Sequence, residues 1–139
     1  MKHQHFDVGT VGFYGAYWAC AGGSDCAVIA MIGDDPEDRL ARSAVKWLCG
    51  RGVNVLTMSP AKKDYGHHNY PLERVETAIS WLKANGNHKI GIAGASTTGT
   101  LALTAAAMFP DVTLTIAMTP SDFVWQGFMQ GKRDGCKEW

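Results

Sequence analysis

At 139 residues the chain has room for one domain with one core (residues 1–139), and its 46% apolar and 19% charged content is that of a soluble globular protein. Thirteen basic residues balance thirteen acidic ones and no run of Lys and Arg occurs, which excludes the electrostatic footprint of a nucleic-acid binder. No apolar stretch reaches the ~18 residues of a membrane span, and "MKHQHFDVGT" lacks the apolar centre of a signal peptide, so a cytoplasmic protein without membrane contact is expected.

His3 and His5 stand in a terminus expected to fray. "VGFYGAYWAC" (residues 11–20) mixes aromatics with glycines as an antiparallel edge strand does, and "AGGSD" turns the chain. "CAVIAMI" (residues 26–32) is continuously apolar and β-branched, the pattern of a strand buried on both faces. "GDDPED" breaks it, with Pro36 suited to the first turn of a helix over residues 36–49. On that helix Leu40, Ala44, Trp47 and Leu48 recur at helical spacing, opposite Arg39, Arg42 and Lys46.

"VNVLTMS" (residues 53–59) predicts a second buried strand, and a polar loop containing "DYGHHNYP" follows. "PLERVETAISWLKANG" predicts a helix with Leu72, Val75, Ala78, Ile79 and Leu82 on its apolar face and Gly86 as its stop. "HKIGIAG" is the third buried strand, "TGTLALTAAAMF" a small-residue helix ending before Pro110, and "VTLTIAMTP" the fourth buried strand. Strands alternating with helices connect by right-handed crossovers, so the expected fold is α/β with a mostly parallel, doubly wound sheet. Residues 121–139 do not continue the alternation.

Cys20, Cys26, Cys49 and Cys136 form no C-x-x-C pair and read as reduced thiols, with Cys26 and Cys49 in segments expected to be buried. His67 and His68 are adjacent in a polar loop, without the ligand spacing of a zinc site. No metal and no cofactor are expected.

"KIGIAGASTTGT" places Ser96 between a strand and a helix, with Gly94 two positions before it and Gly99 three after. A nucleophile elbow has that context, because a sharp turn with neighbouring chains in close approach demands small residues on both sides. It also sets the serine at the carboxyl edge of the sheet, where open α/β sheets bind ligands. A helix N-cap or a phosphate-binding turn fits the same residues, although neither G-x-x-x-x-G-K-[ST] nor G-x-G-x-x-G is present.

Four segments carry a likeness: "AVIAMIGDD", "YPLERVETAISWLKANG", "IGIAGASTTGTLAL" and "TPSDFVWQGF". With them the chain resembles the α/β-hydrolase superfamily. Within it, the chain is similar to the branch containing the carboxy-terminal domain of acyl-CoA thioesterases and bile acid-CoA:amino acid N-acyltransferases, near the dienelactone hydrolases. The resemblance implies a serine hydrolase of small-molecule acyl thioesters or esters with Ser96 as nucleophile. The backbone N–H of Thr97 and one in the loop at Gly33 and Asp34 would form the oxyanion hole, and Trp125 and Phe128 would line an acyl pocket. Lys132 and Arg133 would meet CoA phosphates.

Two positions depart from the pattern. Thr98 stands where the family has glycine, which is expected to crowd the elbow, and Asp34 and Asp35 would oppose an oxyanion unless they face solvent. In this superfamily the acid and then the histidine follow the serine along the chain. After Ser96 come Asp111, Asp122, Asp134 and Glu138 but no histidine, the last being His88. The expectation is therefore an amino-terminal portion of a hydrolase, or a subunit completed by a partner, with an apolar sheet edge at residues 112–118 open to self-association. The alternative is a non-catalytic α/β binding or interaction module.

Overall fold

The apolar run "CAVIAM" becomes β3 (Cys26–Met31), the strand around which the sheet is built. It pairs in parallel with β4 (Asn54–Met58) on one side and β5 (Lys89–Ala95) on the other. β6 (Val112–Met118) adds in parallel to β5. At the opposite edge, β2 (Gly15–Trp18) and β1 (His3–Phe6) run antiparallel, giving six strands in the order β1-β2-β4-β3-β5-β6. This computed structural model describes residues 2–59 and 70–123.

Side chains alternate across the strands, so each strand serves two cores. Ile29, Met31, Leu56, Ile90 and Ile92 face α3 (Glu73–Ala84) and α4 (Thr97–Met108) and pack with Val75, Ile79, Leu82 and Ala102. Val28, Ala30, Val55 and Ala93 face the other way, toward Val45 and Leu48 of α2 (Arg39–Cys49). The mostly parallel sheet with helices on both faces matches the fold expected from the sequence.

β6, expected as a buried strand, is half-buried to exposed, because it is the last strand of the described sheet. Four further expectations are corrected. The first strand is not at residues 11–20 alone: His3 and His5 belong to β1, which covers β2, and a single helical turn, α1 (Val8–Val11), separates the two. His3 stacks on Trp18 with ring centroids 4.1 Å apart and also contacts Glu37, while His5 Nδ1 lies 2.8 Å from Glu37 Oε2. These partners order a terminus that composition alone reads as frayed.

Second, α2 begins at Arg39 rather than Pro36. Asp38 is its N-cap, in extended backbone, accepting the Ala41 N–H at 2.8 Å. Third, α2 buries Ala41, Val45 and Leu48, whereas Leu40 is 60% and Trp47 53% exposed. Both stripes have helical spacing one position out of phase, and the small Ala41 and Val45 permit the closer approach to the sheet. Trp47 is stacked under the Arg51 guanidinium, 4.2 Å from the ring, and forms one wall of an apolar groove of about 220 Å³ with Ile32, Leu48, Ile116 and Met118. Fourth, Cys26 and Cys49 are half-buried, and Cys20 is the buried thiol. The Cys49 thiol is pushed above its ordinary pKa by burial and then by the neighbouring Cys20.

The face expected on α3 holds at Val75, Ala78, Ile79 and Leu82, with Leu72 packed at its rim. Gly86 ends that segment with a φ of 83°, the left-handed conformation that a stop glycine supplies. Among the described residues no helix is long and apolar enough to cross a membrane, and no group of three or more His, Cys, Asp or Glu side chains is placed to hold a metal ion.

Candidate active site

Ser96 stands between the end of β5 and the start of α4, with φ 55° and ψ −122°. A positive φ in a residue with a Cβ costs of order 1–3 kcal/mol and persists only where the surroundings enforce it. Here they do. The Ser96 N–H donates to the Met118 carbonyl at 2.9 Å, which holds the turn against the end of β6. A Cβ at Gly94 would lie 2.0 Å from the Thr98 carbonyl oxygen, and one at Gly99 would lie 3.0 Å from that of Met118. The turn therefore closes only on glycine at position 94 and tolerates little at 99.

Ser96 occupies the N-cap position of α4 yet makes no capping hydrogen bond with its side chain, and it is exposed. That geometry argues against the plain N-cap reading, since a capping serine has extended backbone and bonds its hydroxyl to the first turn. Thr97, half-buried, is the first residue of α4, at the positive end of that helix.

Thr98 does not crowd the elbow. Its side chain is buried beneath it, accepting the Ala95 N–H at 2.9 Å, with its hydroxyl 2.5 Å from the Met31 carbonyl and 2.8 Å from that of Ala95.

The loop after β3 approaches the same point. The β3–β5 ladder ends with Met31 opposite Gly94, so Gly33 and Ser96 each stand two residues beyond the last pair. Gly33 has φ 97°, and a Cβ there would fall 2.4 Å from Asp38 Oδ1. Asp38 organises this loop: its Oδ2 accepts the N–H of Asp34 at 2.8 Å and of Asp35 at 3.3 Å, while Oδ1 caps α2. Burial works against its ionisation. The backbone N–H groups of Ala41, Asp34, Asp35 and Leu40 outweigh that and hold the carboxyl below the ordinary carboxylate range.

Of the two loop positions expected to offer an oxyanion donor, Asp34 has its N–H bonded to Asp38. The expected charge conflict is also altered. Asp34 is exposed, with its carbonyl accepting the Ser59 hydroxyl at 2.6 Å. Asp35 accepts the Tyr14 hydroxyl at 2.9 Å and the Glu37 N–H at 2.8 Å. Burial, then this bond to Asp35, raises the Tyr14 pKa. The carboxylate nearest Gly33 is Asp38, which the sequence reading passed over. Its signal was available: an Asp directly ahead of the first residue of a helix, overshadowed by Pro36.

No described histidine is placed to serve Ser96. His88 precedes β5, at the opposite end of that strand, roughly 26 Å away at 3.3 Å per residue. His3 and His5 lie on β1, four strand spacings from β5, or roughly 19 Å. Asp111 is paired with Lys83 at 2.7 Å, ahead of β6 and thus also at the far end of the sheet. Asp122 is exposed beyond β6. Trp125, Phe128, Lys132, Arg133, Asp134 and Glu138 lie outside the described residues, as do His67 and His68.

No family model and no curated protein matches the chain. Solved structures do. An esterase of Pyrococcus furiosus is 21% identical with a TM-score of 0.64 over 78% of this chain and 45% of its own. An α/β hydrolase from Penicillium sp. is 22% identical with a TM-score of 0.67 over 86% of this chain and 45% of its own. A cold-adapted esterase from an Arctic intertidal metagenomic library is 18% identical with a TM-score of 0.66 over 91% of this chain and 60% of its own. The sheet has the fold of these structures, and the chain spans 45% to 60% of their length.

Proposed function

We propose that residues 1–139 are the amino-terminal portion of an α/β-hydrolase domain that cleaves small-molecule acyl thioesters or esters through an acyl-enzyme on Ser96. The observation that carries this reading is the positive φ of an exposed, uncapped serine at the mouth of a glycine-bounded turn. Backbone strain of that kind is retained where it positions a reacting group. The esterase-type folds found among similar structures support ester hydrolysis in general. The acyl-CoA thioesterase branch rests on the sequence segments quoted above.

In the mechanism, the Ser96 hydroxyl oxygen attacks the substrate carbonyl carbon and gives its proton to a general base. The carbonyl becomes a tetrahedral oxyanion that accepts hydrogen bonds from the Thr97 and Gly33 N–H groups, the former at the positive end of α4. Collapse breaks the bond to the thiol or alcohol, which leaves with a proton, and water then cleaves the acyl-enzyme to a carboxylic acid and free Ser96. The base and its orienting acid come from beyond the described residues. Trp125 and Phe128 are assigned to the acyl pocket. A cytoplasmic setting and an activity without metal or cofactor belong to the same reading.

Intact-mass spectrometry with a fluorophosphonate probe tests it. An adduct on the whole hydrolase domain of which these residues are a portion, absent in its Ser96→Ala variant, is the expected result, and an unmodified whole domain contradicts it. The competing reading, a binding module without a working triad, is favoured by one observation: no described histidine is placed to serve Ser96. It predicts no adduct.

β6 is the last strand of the described sheet and presents Leu114 at 55% exposure, which supports self-association through that edge. Gel filtration is expected to show a dilution-dependent dimer, and a monomer at every concentration would contradict it.

A further inference from the structure

We propose that Thr98 is a positioning residue that sets the separation of the two oxyanion donors; the proposal rests on the hydrolase reading of Ser96. Those donors stand on different strands. Gly33 follows β3 and Thr97 follows β5, and the ladder between the two strands stops at Met31 and Gly94. Beyond that pair the Thr98 hydroxyl ties the two segments together. It accepts the N–H of Ala95, the residue before Ser96, at 2.9 Å, and lies 2.5 Å from the carbonyl of Met31, two residues before Gly33.

A hydroxyl has one proton, so Thr98 donates to either Met31 or Ala95, whose carbonyl is 2.8 Å away. The shorter contact, to Met31, is the one that spans the strands. The side chain is buried, so no water replaces it when it is lost. A glycine at this position removes that hydrogen-bonded link between the loop and the elbow. Displacing a catalytic group by about 1 Å can cost about a hundredfold in rate, so a single buried tie between the donors is expected to govern turnover more than substrate binding.

Thr98→Val removes the hydroxyl at nearly constant shape, and Thr98→Ser keeps it. Two readouts are taken on the whole hydrolase domain of which these residues are a portion: hydrogen exchange of the Ala95 amide and the rate of fluorophosphonate labelling at Ser96. The valine variant is expected to exchange the Ala95 amide about tenfold faster, the equivalent of one buried hydrogen bond, and to label at least about tenfold more slowly. Thr98→Ser is expected to restore both. Unchanged exchange in Thr98→Val, or equal acceleration in Thr98→Ser, overturns the tie. Faster exchange with labelling at the wild-type rate overturns the positioning role. A wild type that takes no label overturns the hydrolase reading and, with it, the positioning role, while the exchange arm still decides whether Thr98 joins the two segments.

Discussion

Two helices begin at the same edge of the sheet, and their first turns are built in opposite ways. At α2, Asp38 sits in extended backbone, caps the helix and gathers the N–H groups of the preceding loop onto one carboxylate. At α4, Ser96 sits at φ 55° and leaves its hydroxyl uncapped and exposed. The first arrangement satisfies orphan donors and stabilises; the second stores strain and leaves a hydroxyl exposed. Neighbouring strands offer the same architectural slot, so on the proposed reading the difference is a trade of stability for chemistry.

The comparison breaks most severely at Gly94. A methyl group there would lie 2.0 Å from a backbone oxygen of α4, so Gly94→Ala is expected to cost about 3 kcal/mol or more, read as a fall in thermal midpoint. Gly22→Ala serves as its control: φ is 91° but nothing lies within 4 Å, so only the conformational penalty of about 1 kcal/mol is expected. If the two variants melt alike, the elbow is not tightly closed.

Ser96→Gly sharpens the contrast from the other side. Glycine accepts the positive φ without strain, so this variant is expected to gain about 1 kcal/mol while losing all fluorophosphonate labelling. A destabilised Ser96→Gly would mean that the serine side chain supports the fold after all.

The smallest effect is electrostatic and belongs to Asp38. Its folded-state pKa lies below the unfolded value, so the carboxylate contributes stability that is fully present above the ordinary carboxylate pKa and is lost as pH falls through the lower folded value. Asp38→Asn keeps a capping oxygen without the charge. The expected penalty is about 0.5 kcal/mol at neutral pH, shrinking toward zero in acid, as read from paired denaturant titrations. A gap between the two proteins that stays constant with pH would show that Asp38 acts through geometry alone.

Much of this was legible in the residues. The runs "CAVIAMI", "VNVLTMS" and "HKIGIAG" are apolar without alternation because both of their faces are covered, and each became an interior strand. The tight turn at Ser96 was legible because small residues at positions 94 and 99 mark a close approach of neighbouring backbone. Other features depend on contacts distant in sequence. β1 is polar and short, and it is ordered by Trp18 and Glu37 rather than by its own composition. The buried stripe of α2 is one phase away from an equally periodic alternative, and packing against the sheet made the choice. Thr98 read as an obstruction because its partner, Met31, lies on another strand.

The order of the strands also shapes how the chain assembles. β3 emerges before either of the strands that flank it, since β4 follows α2 and β5 follows α3. Until then the most apolar segment of the sheet has two open edges and no local hairpin partner. Its pairings are parallel and non-local, a class that closes slowly and is exposed to misassembly while it waits. The early antiparallel pair of β1 and β2 gives no relief, because β2 docks on β4 rather than on β3. Nascent chains paused between β3 and β5 are therefore the form of this protein most in need of a chaperone.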